Sequence, residues 1–551
     1  MRTSLLLSVC IASCVWSLSA CDNTQEADPV QAQPPAEGLA SPEDYPADAE
    51  AGKVALRRLT QTQFQNTITD LVGDEIVVPQ LAEPDLEIGG LLSVGASGAT
   101  MSARGVESLE DIAFAVAEQA LANDAVRARL VTCQPSGPGD EECAREFVQT
   151  MGRRAWRRPL DDEEVDRLVT LAGNAAERLD DFYGGVEAVL AALLQSPNFI
   201  FRVEIGVEDS GQRRFTDHEL ATRLSFFLWN TTPDDVLLAA ADEGKLSTDE
   251  GLLEQAERLL ESPRARQGMR NFFTEHLKLY ELNRLIKDPT IFEHYNAQLG
   301  DDAREETLSL LEHVVFDAQS DWRDVMTTRE TFVNPNLAAL YKIPSPTTEG
   351  FGLVELPADG QRAGLMGHAS FLNAHAHPVS SSATLRGMAV RTILLCQEIP
   401  PPPVNVDTSI PEPSGEAPTL RERVAEHLEN PSCAGCHSLT DPIGLGLENF
   451  DGVGRWRDLD NDYPIDPSGD LDGTFFDTPI ELGAALRNHP DFGPCMVRTL
   501  ARYATGRVEA FEERNIMHVL EERFEVHGYR VKPLILELVM SPLFRRPGEP
   551  K

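Results

Sequence analysis

A run of five residues, Cys433-Ala434-Gly435-Cys436-His437, has the most specific chemistry in the sequence. Two cysteines separated by two residues and followed directly by histidine form the attachment pattern of a c-type haem. In that chemistry the two thiols add to the two vinyl groups of haem, and the adjacent histidine becomes the proximal ligand of the iron. The sequence therefore predicts one covalently bound haem c, held by Cys433, Cys436 and His437.

Two other kinds of site use closely spaced cysteines, and both fit less well. A structural zinc site takes four Cys or His ligands, commonly from two close pairs, whereas the one cysteine that follows the motif is Cys495. A thiol–disulfide redox site needs the CxxC pair but not the histidine after it. Haem attachment is thus the favoured interpretation.

The motif does not determine the ligand on the other side of the iron. Methionine in that position suits electron transfer and raises the reduction potential. Met496, the first methionine after the motif, is the tentative distal ligand, with Met517, Met540 and His489 as alternatives. An open sixth position is a further alternative, and it would favour chemistry on a small molecule.

The elements that must position the motif are predicted to be short. Thr419-Leu420-Arg421-Glu422 has the form of a capping box, so a helix should begin there and end at Pro431, just before the motif. Asp441-Pro442-Ile443-Gly444, after the motif, is typical of a turn. Arg455 or Arg457 are candidates to pair with the haem propionates, because a guanidinium group matches a carboxylate well.

The rest of the chain is predicted to be helical. Thr216 and Glu219 form a capping box at the start of one helix, and Thr232-Pro233 are predicted as the cap and first residue of the next helix. Strand-like alternation is scarce before residue 350. The expected fold class is mainly α, with several tandem helical units and a C-terminal cytochrome-c-like segment.

The N-terminus has the features of an export signal. Arg2 precedes an apolar run, Leu5 to Leu18, that is shorter than a transmembrane helix and has the length of the apolar part of a signal peptide. The run ends in Leu18-Ser19-Ala20-Cys21, which looks like a bacterial lipobox in which Cys21 is lipidated; an ordinary signal peptide cut nearby is the alternative. We therefore expect an exported cell-envelope lipoprotein on the periplasmic side of the inner or outer membrane. The lipid on Cys21 would anchor the protein to that membrane.

The nine cysteines divide into groups with different expected fates. Cys10 and Cys14 leave with the signal peptide, Cys21 takes lipid, and two belong to the haem motif. The remaining four allow three disulfide pairings. Cys133 and Cys143 bracket a loop rich in Pro, Gly and Asp, so we pair them, and this leaves Cys396 with Cys495.

The charge excludes one class of partner. The formal net charge is −41, from 89 acidic and 48 basic residues. Such a chain repels nucleic acid, so no DNA or RNA partner is expected. The sequence also has no hydrolase nucleophile elbow, no phosphate loop and no dinucleotide fingerprint.

Further groups of residues form a pattern that runs in order along the chain: Arg57-Arg58-Leu59-Thr60; Gly152 to Leu160 with Gln195 to Phe199; Leu220 to Trp229; Arg362 to Leu365 with Arg386-Gly387 and the haem motif; and Tyr503 to Arg507 with Ser541 to Phe544. With these residues the chain resembles the exported multi-domain bacterial proteins related to the planctomycete-type cytochrome C families, whose parts are mostly of unknown function. In one departure, Ser382-Ala383-Thr384-Leu385 stands where the family pattern has Ser-Pro before the Arg-Gly pair. The resemblance implies an exported haem-bearing protein, and it implies no particular reaction.

The predicted organisation follows these signals. The predicted signal peptide spans residues 1–20, and a disordered tether spans 21–52. Five helical units follow at 53–128, 129–206, 212–342, 360–460 and 470–546, and the unit at 360–460 carries the haem. The first functional hypothesis is electron transfer at the cell envelope to a redox partner protein of unknown identity. Alternatives are a haem-dependent redox enzyme whose substrate is held by residues 53–400, and an envelope scaffold or interaction protein. Whether the protein is an enzyme stays open.

Overall fold

The computed structural model describes residues 38–40, 44–45, 52–54, 56–209, 212–400, 413–429 and 431–548. The predicted signal peptide and the predicted lipidation site Cys21 lie outside the described residues. From Gly38 onward the chain forms one compact unit, and its fold is mainly α, which confirms the fold class expected from the sequence. None of the helices in the described part is long and apolar enough to cross a membrane.

The N-terminal part, up to Arg214, consists of helices with one short strand at its start and three at its end. Its elements are β1 Arg57–Arg58, α1 Gln61–Val72, α2 Leu92–Gly95, α3 Ala103–Ala122, α4 Asp124–Leu130, α5 Glu141–Trp156, α6 Asp162–Leu179, α7 Phe182–Gln195, α8 Pro197–Ile200, β2 Phe201–Arg202, β3 Val207–Asp209 and β4 Gln212–Arg214. Apolar faces of α1, α3, α5, α6 and α7 meet in one core, so the first two predicted units share their buried residues.

The middle part, from Asp217 to Glu355, is also helical. Its α-helices and strands are α9 Asp217–Leu228, α10 Asp235–Asp242, α11 Asp249–Glu261, α12 Pro263–His276, α13 Leu299–Glu312, β5 Glu330–Val333, α14 Pro335–Tyr341 and β6 Gly352–Glu355. Short 3₁₀ or π turns lie between them at Lys245–Ser247, Leu279–Arg284, His313–Asp317 and Trp322–Met326.

The C-terminal part contains the haem motif and the last helices. Its α-helices and strands are α15 Ala369–Ala374, α16 Ala383–Ala389, α17 Leu420–Glu429, α18 Pro431–Leu445, β7 Leu459–Asp460, β8 Tyr463–Pro464, β9 Gly469–Leu471, β10 Thr474–Phe476, α19 Pro479–Arg487, α20 Phe492–Thr505, α21 Arg514–Val526, α22 Val531–Met540 and α23 Pro542–Arg545. A 3₁₀ turn at Leu365–Gly367, a π turn at Val390–Leu394 and a 3₁₀ turn at Phe511–Glu513 complete it.

Within the described ranges the strands form five two-stranded antiparallel pairs. Four of them join neighbours in sequence, namely β3 with β4, β5 with β6, β7 with β8 and β9 with β10. In the fifth pair, β1 and β2, Arg57 lies opposite Arg202 and Arg58 opposite Phe201. This pair brings the start of the first predicted unit to the end of the second.

The main core is shared by the middle and C-terminal parts. A stack of three aromatic rings illustrates this, with Trp322 lying between Phe273 of α12 and Phe492 of α20 at centroid distances of 5.6 and 6.2 Å. The tandem units predicted from the sequence therefore pack into common cores, while their individual boundaries stay predictions.

The helix starts show how far local chemistry determines the elements. At α9 the Thr216 side chain accepts from the Glu219 backbone N–H and the Glu219 carboxylate accepts from Thr216, so the predicted capping box is confirmed. The prediction for the next helix was wrong, because α10 begins two residues later than expected. The Asp234 carboxylate caps it by accepting from the Leu237 N–H at 2.8 Å.

Two disulfides connect elements of the described chain. Cys133 is joined to Cys143 and closes a loop of 10 residues. Cys396 is joined to Cys495 across a separation of 99 residues and ties the π turn that ends at Leu394 to α20. Both are the pairs derived above from the spacing of the cysteines.

Candidate haem-attachment site

The haem motif lies in the first turns of a helix. As predicted, the helix that starts after Thr419 ends before Pro431, at Glu429. A second helix, α18, then begins at Pro431 and contains the whole motif. The turn predicted after the motif was wrong, because Asp441 to Gly444 continue α18 and Pro442 lies inside the helix. Proline has no backbone N–H, so the helix lacks the hydrogen bond that residue 442 would otherwise donate to the carbonyl oxygen of Ser438.

This position places the three motif side chains on one face of α18. Residues three and four apart are neighbours on a helix surface, so Cys433, Cys436 and His437 project to the same side. Both thiols are free and partly exposed, and the Cys436 Sγ donates to the carbonyl oxygen of Pro400 at 3.2 Å. Two accessible thiols beside one imidazole are what addition of haem vinyl groups requires.

The His437 ring is held by a carboxylate one turn further along the helix. His437 Nδ1 lies 2.8 Å from Asp441 Oδ2. The other oxygen of Asp441 accepts from the Thr384 hydroxyl at 2.8 Å and from the Thr440 hydroxyl at 3.2 Å. A histidine that donates through Nδ1 is oriented to bind a metal ion through Nε2.

Two glycines allow Thr384 to reach this carboxylate. Helices α16 and α18 pack at very close range, and a Cβ atom at Gly387 would overlap the carbonyl oxygen of Thr440. A Cβ atom at Gly444 would overlap the carbonyl oxygen of Ala383. The close approach explains in physical terms why glycine follows Arg386 in this sequence.

Arg386 anchors α16 to the segment that follows α18. Its side chain is fully buried and donates to the carbonyl oxygens of Leu447 at 2.8 Å, Phe450 at 2.7 Å and Asp451 at 2.7 Å. Burial lowers the pKa of Arg386 to about 10. Its role is therefore structural, since it fixes the path of the chain after the motif.

The two arginines proposed as partners of the haem propionates differ in the structure. Arg457 already forms ion pairs with Glu448 and, at 3.1 Å, with Asp460. Arg455 is partly buried, and its guanidinium group has no ion-pair partner among the described residues. Of the two, Arg455 keeps its charge available to an added carboxylate.

The candidates for the distal ligand lie in different surroundings. Met496, on α20, is 1% exposed and packs in the main core. His489 uses both ring nitrogens, since Nε2 lies 3.0 Å from Asp472 Oδ2 and Nδ1 accepts from the Asp491 N–H at 3.1 Å. Met517 is buried in α21, and Met540, at the end of α22, is partly buried against the same core. The role of Met496 as distal ligand stays a prediction.

Sequence reasoning missed two residues on α16, the helix that packs against α18. Thr384, noted only as a departure from a family pattern, contacts Asp441 directly. Met388 lies one turn after Thr384 on α16 and is 36% exposed. The four-residue spacing of His437 and Asp441 was the available signal for their contact, and it becomes visible only when this segment is recognised as helical.

Other features of the described residues are separate from the motif. A cleft of about 780 Å³ is lined by residues that include Ser381, Arg423 and Glu448, and none of the three motif residues lines it. No group of three or more His, Cys, Asp or Glu side chains in the described ranges is arranged to hold a metal ion. A structural zinc site would need such a group.

Comparison with known families accounts for most of the chain. Five family models, each described as a protein of unknown function, match successive segments: DUF1587 at residues 57–122, DUF1595 at 143–204, DUF1592 at 215–343, DUF1588 at 362–460 and DUF1585 at 472–544. The segment matched by DUF1588 contains the motif. No curated protein and no solved structure matches the chain.

Proposed function

We propose that this chain, which belongs to the multi-domain families related to planctomycete-type cytochrome C, is an exported c-type haem lipoprotein that transfers electrons at the cell envelope. One observation carries the proposal. Cys433 and Cys436 are free thiols on the same face of α18 as His437, whose ring is oriented by Asp441.

The other cysteines strengthen this argument. All four remaining cysteines in the described residues are consumed in two disulfides, as expected of a protein that folds in an oxidising compartment. In that setting two cysteines left as thiols are available for another reaction. Haem addition is a reaction that uses both thiols and also needs the histidine beside them.

Each motif residue would have a defined task. Cys433 and Cys436 would form the two thioether bonds, and His437 would bind the iron through Nε2 while Asp441 accepts the proton of Nδ1. The haem would supply a one-electron redox centre. Arg455 would offer its charge to a propionate. Lipidation of Cys21 would hold the body at a membrane surface, where it meets the redox partner protein.

The test is expression of the full chain, with its signal sequence, in a bacterial host that attaches c-type haem. We expect the purified protein to show Soret absorbance and to retain haem staining after denaturing electrophoresis. The double variant Cys433→Ala/Cys436→Ala should lose both signals. As a matched control, Cys133→Ala/Cys143→Ala also removes two cysteines and should keep them. Wild-type protein without haem under these conditions would overturn the proposal.

One structural feature favours a second candidate function. Cys433 lies in the first turn of α18, which is also where thiol–disulfide oxidoreductases place a reactive CxxC cysteine. Peptide mapping of the haem-free protein without reduction distinguishes the two. A quantitative Cys433–Cys436 disulfide that exchanges with added dithiol would favour the oxidoreductase.

A further inference from the structure

We infer that Asp441, held in place by Thr384, is a positioning residue that gives His437 the electron-donating character of a partly deprotonated imidazole and so lowers the midpoint potential of the haem. This inference rests on the proposed function, because it concerns the same site. It predicts a lower potential than the same haem would have without the Asp441 carboxylate, whereas the motif alone leaves the potential open.

The first support is the kind of partner that His437 has. Its Nδ1 hydrogen bond at 2.8 Å goes to a carboxylate oxygen and not to a neutral carbonyl. A carboxylate that accepts this hydrogen bond increases the electron density at Nε2 and strengthens the bond that Nε2 makes to a metal ion. A stronger donor stabilises ferric over ferrous iron, which lowers the potential.

The second support is that the Asp441 charge is not neutralised by a basic side chain. The carboxylate is buried, with 1% of its side chain exposed, whereas 20% of the His437 side chain is exposed. Within the described residues Asp441 forms no ion pair with arginine or lysine; its ion-pair partner there is His437. The negative charge therefore acts on the imidazole in surroundings that screen it weakly.

The third support is that the carboxylate cannot easily turn away. Its second oxygen accepts from Thr384 on α16 and from Thr440 on α18. Thr384 is held at this distance because Gly387 and Gly444 let the two helices approach. The Thr384 hydroxyl thus fixes one oxygen while the other is presented to His437, and the single hydrogen of the Thr440 hydroxyl is shared between Asp441 and the carbonyl oxygen of Cys436.

The experiment measures the midpoint potential of haem-loaded full-length protein by spectroelectrochemistry. We expect Asp441→Asn, which keeps an acceptor and removes the charge, to shift the potential upward. Thr384→Val should shift it upward by less, and Thr384→Ser, which keeps the hydroxyl, should restore the wild-type value. Asp462→Asn removes an equal charge from an exposed turn and is the matched control. An unchanged potential in Asp441→Asn would overturn the inference.

A second measurement needs no haem and separates this inference from the proposed function. In haem-free protein labelled with ¹⁵N-histidine, we expect the neutral His437 ring to carry its proton on Nδ1, with the assignment made from His437→Ala. Asp441→Ala, which removes the acceptor, should move the proton towards Nε2. A wild-type ring protonated on Nε2 would overturn the positioning role, whereas failure of haem attachment alone would overturn the proposed function.

Discussion

Arg223 Nη1 donates to Glu204 Oε2 at 2.8 Å, inside the protein and between helix α9 and the end of strand β2. Arg202 donates to the other oxygen of Glu204 at 2.7 Å, and Arg57 pairs with Glu204 as well. All four side chains are at most 5% exposed. One buried carboxylate is therefore the shared ion-pair partner of three buried guanidinium groups that come from three different family-matched segments.

The first prediction is that Glu204→Gln destabilises the whole protein. Removing the charge leaves three buried arginines without a counterion, and breaking a buried pair in this way typically costs about 3–5 kcal/mol. Denaturant unfolding followed by circular dichroism measures the loss. Glu208→Gln, on an exposed strand nearby, is the control and should change the unfolding free energy by less than about 0.5 kcal/mol. Equal stability of the two variants would contradict the role assigned to Glu204.

The second prediction concerns the pH dependence of that loss. Burial by itself would raise the pKa of Glu204, but Arg202, Arg57 and Arg223 lower it to about 2. The unfolded-state pKa of glutamate is about 4.3. A lowered folded-state pKa stabilises the protein above the unfolded value, and this contribution disappears as the pH falls through the folded value. The difference in unfolding free energy between wild type and Glu204→Gln should thus shrink from about pH 5 to about pH 2. A difference that stays constant over this range would be inconsistent with the pairing.

The third prediction tests the close packing of α16 on α18. Gly444→Ala places a methyl group against the carbonyl oxygen of Ala383, so the helices must separate, at a cost of about 1–3 kcal/mol. We expect a lower melting temperature and a smaller fraction of protein with covalent haem. Gly435→Ala, in the same helix and inside the motif, meets nothing within 4 Å and should preserve both. If Gly444→Ala behaved like Gly435→Ala, the packing would not position the motif.

The fourth prediction concerns the distal ligand. Met496 is the distal ligand predicted from the sequence and is buried in the main core, so we expect Met496→Leu to remove the sign of methionine ligation from the ferric haem spectrum, and a spectrum unchanged by this substitution would contradict that role. Because the volume is nearly conserved, the loss of stability should be below about 1.5 kcal/mol. The near-infrared charge-transfer band of methionine-ligated ferric haem is the readout. Disappearance of such a band in Met496→Leu alone would establish Met496 as the ligand, and Met517→Leu and Met540→Leu are the parallel variants.

Short-range features of the sequence were the most predictable. The capping box at Thr216 and the helix end before Pro431 depend on a few adjacent residues, and the structure confirms both. The prediction that Thr232 caps the next helix was wrong because the Asp234 carboxylate caps α10 instead. The same carboxylate pairs with Arg258 at 2.8 Å.

The errors near the motif have a tertiary cause. Asp441 to Gly444 combines residues that favour turns, yet these residues are helical because α18 packs closely on α16. The contacts of Thr384 with Asp441, and of Arg57, Arg202 and Arg223 with Glu204, join residues far apart in sequence. No local pattern predicts such contacts from one sequence, so the side chains that orient His437 became visible only in the folded chain.

If the chain is exported and carries haem as proposed, the disulfide between Cys396 and Cys495 sets an order of events during its biogenesis. The loop that it closes contains the haem motif. When such a chain crosses a membrane N-terminus first, Cys396, Cys433 and Cys436 all emerge as thiols before the partner of Cys396 arrives. During this interval three thiols compete for oxidation, and premature pairing of Cys396 with a motif cysteine would block haem addition. Under the proposed function, correct maturation would therefore depend on relative rates, with the motif cysteines kept reduced until Cys495 in α20 has emerged and paired with Cys396.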